Sequence, residues 1–278
     1  MILEGEVNMG KSNGIELPLI SVLMGIYNCE GTLEEAVKCI MDQTYTNWEL
    51  ILCDDCSTDG TLKIAKKLAE KDHRIKVIQN DRNLTLAPTL NRCLSVARGE
   101  YVARMDGDDI CSVDRFEKEL DFLMEHPEYA LVSCNMELFD KEGTYRTITY
   151  LERPLKQDFV KKSQFCHAGC MMRIEVIRQL DGYSESENRQ RVEDYDLWIR
   201  MYAHGFSGYN LPEVLYSMRD DRNAFHRRTW KNRINEAKLK VEICRKFDLS
   251  MKYYIWSIIP IIKWIIPTRL YRMLHRGA

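Results

Sequence analysis

Two acidic clusters, each directly following a short apolar run, limit what this chain can fold into. The first is DDCSTD at residues 54–59, after the run 48–53, and the second is DGDD at residues 106–109, after the run 101–105. Both runs have the length and composition of buried strands. Because open α/β sheets bind ligands beyond the carboxyl ends of their strands, we expect both clusters at one sheet edge. Carboxylates crowded there repel one another unless a cation or a ligand's donor groups lie between them.

Strand and helix signals alternate through the first hundred residues. Apolar runs predict strands over residues 19–26, 48–53, 75–79 and 101–105. Helical periodicity predicts helices between them, over residues 33–41, 59–71 and 86–98. The first helix is expected to begin with a capping box, TLEE at residues 32–35. This alternation predicts a Rossmann-like, doubly wound half with a parallel sheet.

The pattern becomes mixed after residue 110. It predicts helices over 115–126, 174–180 and 193–204, and strands over 129–139 and 145–151. We therefore expect one domain over residues 19–219, built from the halves 19–110 and 111–219. Residues 1–18 are expected to form a flexible leader. Residues 220–278 are expected to form a basic helical extension, with a helix over 222–246.

Charge and cysteine usage narrow the class of protein. A net charge of −2 over 278 residues gives no overall field toward nucleic acid, so no nucleic-acid partner is expected. The ten cysteines show no paired framework, and the N-terminus has no secretory signal pattern, which favours a reducing cytoplasm. The CDDC sequence at residues 53–56 has no second CxxC, so it gives little support to a zinc or redox site.

Five motifs, in this order and spacing, resemble those of family 2 glycosyltransferases. They are ISV at 20–22 with YN at 27–28, DDCSTDGT at 54–61, ARGEY at 97–101, DGDD at 106–109 and EDY at 193–195. The resemblance implies an inverting enzyme of the GT-A fold, an α/β fold whose mixed Rossmann-like central sheet is flanked by helices. It also implies that 19–110 binds a nucleotide-sugar and 111–219 the acceptor. This family usually has glycine where Cys56 stands and near Thr85, and these departures affect the expected donor selectivity.

The DGDD cluster is suited to a divalent cation. Mg²⁺ and Mn²⁺ prefer hard oxygen ligands, and such a cation neutralises the charge that develops on a leaving diphosphate. Alternate residues leaving a strand project apart, so one carboxylate can hold the metal while another binds ribose hydroxyls. By the resemblance, Asp108 is the metal ligand, Asp106 is the ribose contact and Asp109 assists. The alternative is an acidic turn before the helix at 115–126.

Tyr27 and Asp55 are the candidates for a nucleobase pocket. An aromatic side chain after the first strand can stack on a base. A carboxylate after the second strand can accept a hydrogen bond from an imide N–H, which uracil and thymine offer and adenine does not. This chemistry favours a UDP-sugar over a dTDP-sugar, with a GDP-sugar less favoured. The structural alternative for Tyr27 is a tyrosine at the edge of the core, and for Asp55 it is a helix cap.

Asp194 is the candidate catalytic base. Displacement with inversion needs a base on the face of the sugar opposite the leaving phosphate. By the resemblance this is Asp194, beside Glu193 at the start of a helix, where the helix dipole is expected to lower its pKa. Glu193, His167 and Arg104 are further candidates for the substrate site, although His167 and Arg104 could each equally serve a structural role. Tyr195 and Trp198 could line a sugar site, but their helical spacing is typical of core residues.

The C-terminal segment is basic and aromatic. Its apolar run, residues 253–267, contains two prolines and a lysine and is too short to span a bilayer. Tryptophans flanked by cations are typical of interfacial segments, so Trp256 and Trp264 are predicted to anchor the tail on an anionic leaflet. A tail packed on the domain or on a dimer partner is the alternative.

The resemblance and the tail together predict a metal-dependent inverting glycosyltransferase of surface-polysaccharide synthesis. It would use Mn²⁺ or Mg²⁺, a UDP-sugar and a polyisoprenoid-linked glycan acceptor, in the cytoplasm at the inner face of the plasma membrane. One alternative is a sugar-1-phosphate nucleotidyltransferase, which needs an early glycine-rich loop with Arg and Lys that residues 19–30 lack. Another is a non-catalytic sugar-nucleotide-binding or membrane scaffold protein. The presence of Asp106, Asp108 and Asp194 argues against a loss of catalysis.

Overall fold

The computed structural model describes residues 17–220 and 230–265. Its strands are β1 Ile20–Ile26, β2 Trp48–Asp54, β3 Ile75–Gln79, β4 Tyr101–Arg104, β5 Ile110–Cys111, β6 Leu131–Asp140, β7 Gly143–Ile148, β8 Met171–Arg173 and β9 Gly208–Arg219. Its α-helices are α1 Leu33–Met41, α2 Thr61–Lys71, α3 Leu86–Val96, α4 Arg115–Glu125, α5 Ile174–Gln179, α6 Glu193–Ala203, α7 Trp230–Lys246 and α8 Ile255–Ile265. Short 3₁₀ helices lie at Lys156–Val160, Glu187–Arg189 and Met251–Tyr254.

The strands form one mixed sheet in the part of the chain that the structure describes. Its order is β3-β2-β1-β4-β8-β6-β9-β5, and β7 pairs with β6 outside this path. The first four strands in this order are parallel to one another. Strand β8 is antiparallel to both β4 and β6, and it joins the parallel half to the rest of the sheet. The predicted Rossmann-like half within a mixed sheet is therefore confirmed.

Helices cover both faces of the sheet, because side chains along each strand alternate between two apolar cores. On β1, Leu23 belongs to the core beneath α3, α5, α6 and α7. Its neighbours Val22 and Met24 belong to the core beneath α1, α2 and α4. Because successive side chains of these strands are buried on opposite faces of the sheet, the parallel strands appear as continuous apolar runs in the sequence. Loops at the carboxyl edge remain open between the two helical layers.

Three strands of the second half were not predicted from the sequence. Strands β5 and β8 contain two and three residues, too few to show a period. Strand β9 is twelve residues long, but Pro212 interrupts its pattern and cannot donate a ladder hydrogen bond. The register between β6 and β9 shifts around Asn135, whose side-chain amide donates to the Pro212 carbonyl oxygen at 2.9 Å. This bulge lets β9 pass the proline and continue along β6.

The predicted capping box at residues 32–35 is wrong. Thr32 makes no side-chain hydrogen bond to the first turn of α1. Its hydroxyl instead donates to the carbonyl oxygen of Gly107 at 3.0 Å. A threonine that could cap its own helix thus connects that helix to the second acidic cluster.

The C-terminal segment packs on the same core as the parallel half. Leu239 and Ile243 of α7 are fully buried in the core beneath α3, α5 and α6. The first part of the predicted helix over 222–246 lies outside the described residues, as does nearly all of the predicted leader over 1–18. Among the described residues, no helix is long and apolar enough to cross a membrane.

Candidate active site

The two acidic clusters meet at one sheet edge, as predicted. Ile26 at the end of β1 pairs with Asp54 at the end of β2, and Leu23 pairs with Arg104 at the end of β4. The backbone N–H of Asp55 donates to the carbonyl oxygen of Ile26 at 2.8 Å. The carboxyl ends of three adjacent parallel strands therefore bring both clusters to one cleft, where an open α/β sheet binds its ligands.

Asp55 holds together the loop that follows β3. Its Oδ1 accepts hydrogen bonds from the Asn80 amide and the Leu84 backbone N–H, both at 2.7 Å. Its Oδ2 accepts one from the Thr85 backbone N–H at 2.9 Å. A carboxylate offers about four acceptor positions, so one at Oδ2 has no donor among the described residues. Tyr27, the other candidate for the base pocket, is 49% exposed at the same edge and can offer a ring face.

Three of the six described non-glycine residues with a positive φ lie in the loops around this pocket. Asn28, Cys56 and Thr85 all have positive φ angles, of 50°, 61° and 72°. Thr85 also has a ψ of 177°, a region that is essentially restricted to glycine. The resemblance places a family glycine at Cys56 and another near Thr85. The loop geometry that glycine favours is therefore kept here with side chains present.

Asp106 forms an ion pair with a buried arginine. Its Oδ1 accepts from Nη2 of Arg104 at 2.6 Å, and the Arg104 side chain is almost completely buried. The Asp106 carboxylate keeps about a third of its surface exposed toward the cleft. Nε and Nη1 of the Arg104 guanidinium are buried without a hydrogen-bond partner among the described residues. The arginine fixes the direction in which Asp106 points.

Asp108 faces the cleft with its carboxylate open to a ligand. Among the described residues, no hydrogen bond or ion pair is formed by its side chain. The protein around it displaces part of the surrounding water, and this desolvation, together with the nearby Asp106 charge, raises the pKa of Asp108. An accessible carboxylate beside a second negative charge suits a hard divalent cation. No group of three or more acidic, Cys or His residues within the described ranges could hold a metal alone, so substrate oxygens would have to complete its coordination.

Asp109 is clamped from both sides by β9. Its Oδ2 accepts from the Tyr216 hydroxyl and its Oδ1 from the Arg219 backbone N–H, both at 2.7 Å. Burial raises its pKa, and the charges of Asp106 and Asp108 raise it further. With both oxygens bound to protein donors, Asp109 is suited to anchoring the loop rather than to assisting the metal directly.

Two residues of β9 complete the site and were missed in the sequence. The Tyr216 hydroxyl accepts from the Asp106 backbone N–H at 3.3 Å while it donates to Asp109. The Arg219 guanidinium donates to the Asp108 carbonyl oxygen at 2.8 Å and to Glu35 of α1 at 2.5 Å. No local motif marks either residue, because both act on a cluster more than a hundred positions earlier in the chain.

Asp194 lies in the first turn of α6, as predicted, but its pKa moves in the opposite direction from the prediction. Burial and the neighbouring Glu193 charge outweigh the helix terminus and raise the pKa of Asp194 to about 6. At neutral pH this carboxylate is still mostly ionised. A base of this kind is well matched to proton transfer near pH 7. Oε2 of Glu193 is buried without a hydrogen-bond partner among the described residues.

His167 is a buried, neutral side chain hydrogen-bonded to Tyr183. Its Nε2 lies 2.9 Å from the Tyr183 hydroxyl. Burial, and then the Arg104 charge, hold its pKa well below the usual histidine value. Burial raises the pKa of Tyr183, and the charge of Asp194 adds to this, so Asp194 lies within electrostatic range of this pair. Trp198 is fully buried nearby, which supports the core interpretation of that residue.

Similarity to known proteins agrees with this geometry. The model of the family described as Glycosyl transferase family 2 matches residues 21–181. The chain is 45% identical over 260 residues to EpsE of Bacillus subtilis (strain 168), whose name describes a glycosyltransferase, and the match covers 93% of this chain and 94% of EpsE. It is 26% identical over 247 residues to WfgD of Escherichia coli, a UDP-Glc:alpha-D-GlcNAc-diphosphoundecaprenol beta-1,3-glucosyltransferase, covering 87% of this chain and 93% of WfgD.

A solved structure shows the same fold. S. aureus TarS 1–349, crystallised in complex with UDP-GlcNAc, superposes with a TM-score of 0.67 at 17% sequence identity. The superposition covers 90% of this chain and 72% of the TarS chain. The expected GT-A fold, with its mixed central sheet between helices, is thereby confirmed.

Proposed function

Because this chain belongs to glycosyltransferase family 2 and is therefore a transferase, we propose that it moves a sugar from a nucleotide diphosphate to a hydroxyl of a lipid-linked glycan. We further propose inversion at the anomeric carbon, in the synthesis of a cell-surface polysaccharide. The observation that carries the proposal is the meeting of Asp55, Asp106 and Asp108 at one sheet edge. WfgD, whose name specifies a UDP-sugar donor and a diphosphoundecaprenol acceptor, supports both substrate classes.

The donor proposal depends on Tyr27 and Asp55. The exposed Tyr27 ring offers a stacking surface, and the free acceptor position on Asp55 suits the imide N–H of uracil. A UDP-sugar is therefore proposed ahead of dTDP- and GDP-sugars. Asp106, held by Arg104, would accept hydrogen bonds from the ribose hydroxyls. The complex of TarS with UDP-GlcNAc supports this class of donor.

The leaving group requires positive charge beside Asp108. Mn²⁺ or Mg²⁺ bound there would neutralise the diphosphate as the sugar–phosphate bond breaks. Asp108 would supply the exposed carboxylate for that ion. Asp109, Tyr216 and Arg219 would hold the loop in place from behind.

Asp194 would accept the proton of the attacking hydroxyl. Inversion requires this base to lie on the face of the sugar opposite the diphosphate. With a pKa of about 6, the carboxylate is ionised near neutrality and can take up a proton as the hydroxyl attacks. His167, which is neutral and bonded to Tyr183, is suited to shaping the pocket rather than to transferring charge.

The acceptor determines where the reaction would take place. Sugar nucleotides are cytoplasmic and a polyisoprenoid carrier is embedded in the bilayer, so we place the enzyme at the inner face of the plasma membrane. Residues 19–110 would bind the donor, residues 111–219 the acceptor, and residues 220–278 would form the extension toward the membrane.

A panel of nucleotide sugars tests the proposal by measuring release of free nucleotide with and without EDTA. Wild type should turn over a UDP-sugar with Mn²⁺ or Mg²⁺ and lose activity reversibly in EDTA, and Asp108→Ala should be inactive in both conditions. Full activity in EDTA would refute the assignment of Asp108. Release of pyrophosphate from UTP and a sugar 1-phosphate would instead identify a nucleotidyltransferase, and tight donor binding without turnover would indicate a scaffold protein.

A further inference from the structure

The outward face of α8 and of the turn before it is aliphatic. Four exposed side chains follow one another at spacings of four, three and four residues: Met251, Ile255, Ile258 and Ile262. Their exposed fractions are 80%, 63%, 54% and 48%. Residues at this spacing lie on one side of a helix. In a helix on the surface of a soluble protein, an apolar stripe of this kind normally faces the core.

The opposite side of this helix is already covered by the protein. Tyr253, Tyr254 and Trp256 are partly buried and pack against the core that also contains α7. Pro260 is buried on the same side. Trp256, which the sequence predicts as an interfacial anchor, is thus partly buried against protein. The Trp264 side chain lies outside the described residues. The exposed isoleucines therefore make up an apolar surface that nothing within residues 17–220 and 230–265 covers.

Charge around this surface identifies the kind of partner it fits. From Leu249 to the C-terminus the sequence has five Lys and Arg residues and no Asp or Glu. Lys252 is exposed directly beside Met251, and Arg245 and Lys246 are exposed at the end of α7, with one exposed acidic residue, Asp248, after them. An aliphatic stripe with cations alongside matches an interface between hydrocarbon and anionic headgroups. A second copy of the chain would instead bring these cations face to face.

We propose that α8 lies flat in an anionic membrane surface and inserts the face formed by Met251, Ile255, Ile258 and Ile262. Eleven helical residues extend about 17 Å, roughly half the hydrocarbon thickness, so the helix lies along the bilayer rather than across it. This inference rests on the proposed lipid-linked acceptor for its biological setting. The insertion itself is a property of α8 and can be measured without any sugar transfer.

Sedimentation of the full chain with vesicles tests the proposal. Wild type should bind phosphatidylglycerol–phosphatidylcholine vesicles, bind pure phosphatidylcholine weakly, and lose affinity for the anionic vesicles at high salt. The triple variant Ile255→Ser, Ile258→Ser, Ile262→Ser should bind the anionic vesicles about 100-fold less tightly. A double variant, Met124→Ser with Leu151→Ser, is the matched control, because these side chains are each 51% exposed elsewhere. It should bind as wild type does.

Two further measurements separate the possible outcomes. Donor hydrolysis by the triple variant should equal that of wild type, so loss of vesicle binding with intact hydrolysis supports the proposal. If wild type binds vesicles as proposed but hydrolyses no donor, the glycosyltransferase assignment fails while the membrane face stands. Equal vesicle binding by triple variant and wild type would overturn the proposal. A second result would also overturn it: wild type forms a dimer in sedimentation velocity and does not bind vesicles, while the triple variant is a monomer. In that case α8 would bind a second copy of the chain.

Discussion

The proton affinity of a single side chain, Asp194, determines the pH range in which the proposed base can work. Its pKa of about 6 in the folded protein results first from burial and then from the charge of Glu193. The group accepts a proton only when it is ionised. Activity should therefore be present above this pKa and decline as the pH falls through it.

Asp194→Asn keeps the size of the side chain and removes the proton acceptor. We expect the transfer rate to fall by about 10² to 10⁴ while donor affinity stays nearly unchanged. Glu193→Gln should keep most of the activity and move the acidic limb of the pH–rate profile below that of wild type, because one of the charges that raise the pKa is gone. A collapse of donor binding in Asp194→Asn would place this residue in the nucleotide site instead.

Thr85 has a backbone conformation that its side chain opposes. Its φ of 72° with a ψ of 177° is unfavourable for a β-branched residue by about 1–3 kcal/mol. Thr85→Gly should raise the free energy of unfolding by about 1 kcal/mol, after the entropy cost of glycine is subtracted. Denaturant unfolding measures this change. Thr46→Gly is the control, since exposed Thr46 has no positive φ and its replacement should destabilise the protein.

At the scale of single residues, the sequence predicts which carboxylates meet but not what each one does. Asp55 and Asp106 follow apolar runs that become parallel strands on either side of β1, so their meeting follows from the alternating pattern alone. The pKa of Asp194 depends on how deeply the fold buries it. The role of Asp109 depends on Tyr216, which lies 107 positions later. Neither the pKa of Asp194 nor the role of Asp109 can be predicted from the residues next to it in the sequence.

Strand β9 is the element that determines the shape of the DGDD loop. Tyr216→Phe removes the donor to Asp109 and the acceptor for the Asp106 N–H. The variant should lose about 1–3 kcal/mol of stability, because a buried carboxylate oxygen is left without its partner. It should also bind UDP about tenfold more weakly in the presence of Mn²⁺, with little change in its absence. Titration calorimetry with and without the metal measures both affinities.

Tyr202→Phe is a suitable control for this strand. The Tyr202 hydroxyl is buried and donates to the carbonyl oxygen of Pro154 at 2.9 Å, away from the acidic clusters. Its removal should cost a similar amount of stability and leave nucleotide binding unchanged. If both variants weaken metal-dependent UDP binding equally, the effect of Tyr216 is a general loss of stability rather than positioning of the loop.

Elements with a clear period were predicted well, and those without one were missed. Helices α1 and α6 begin within a residue of their predicted starts, because their apolar positions recur every three or four residues. Strand β9 contains Pro212 and changes register there, so the sequence does not show the regular alternation of buried and exposed side chains that predicts a strand. Strand β8, with three residues, is defined by its neighbours β4 and β6 rather than by its own composition.

At the scale of the whole molecule, α7 is part of the core rather than a detachable addition. Ile243 is fully buried there with residues of α3, α5 and α6. Ile243→Ala should therefore lower the global free energy of unfolding by about 2–5 kcal/mol in a single cooperative transition. Ile177→Ala in α5, at a similarly buried position of the same core, should cost a comparable amount. Two separate transitions in the melt of Ile243→Ala would mean that α7 folds independently.

The contacts that hold the DGDD loop also determine when, during synthesis, the chain can first form its ligand site. Arg219 lies 110 positions after Asp109 and 184 positions after Glu35, and it bonds to both. Contacts so distant in sequence form late, because the intervening chain must first be made and closed. A nascent chain that still lacks β9 carries all three carboxylates of the cluster but not the strand that fixes them. Premature fragments are thus expected to be poor at sequestering cations or nucleotides from the cell.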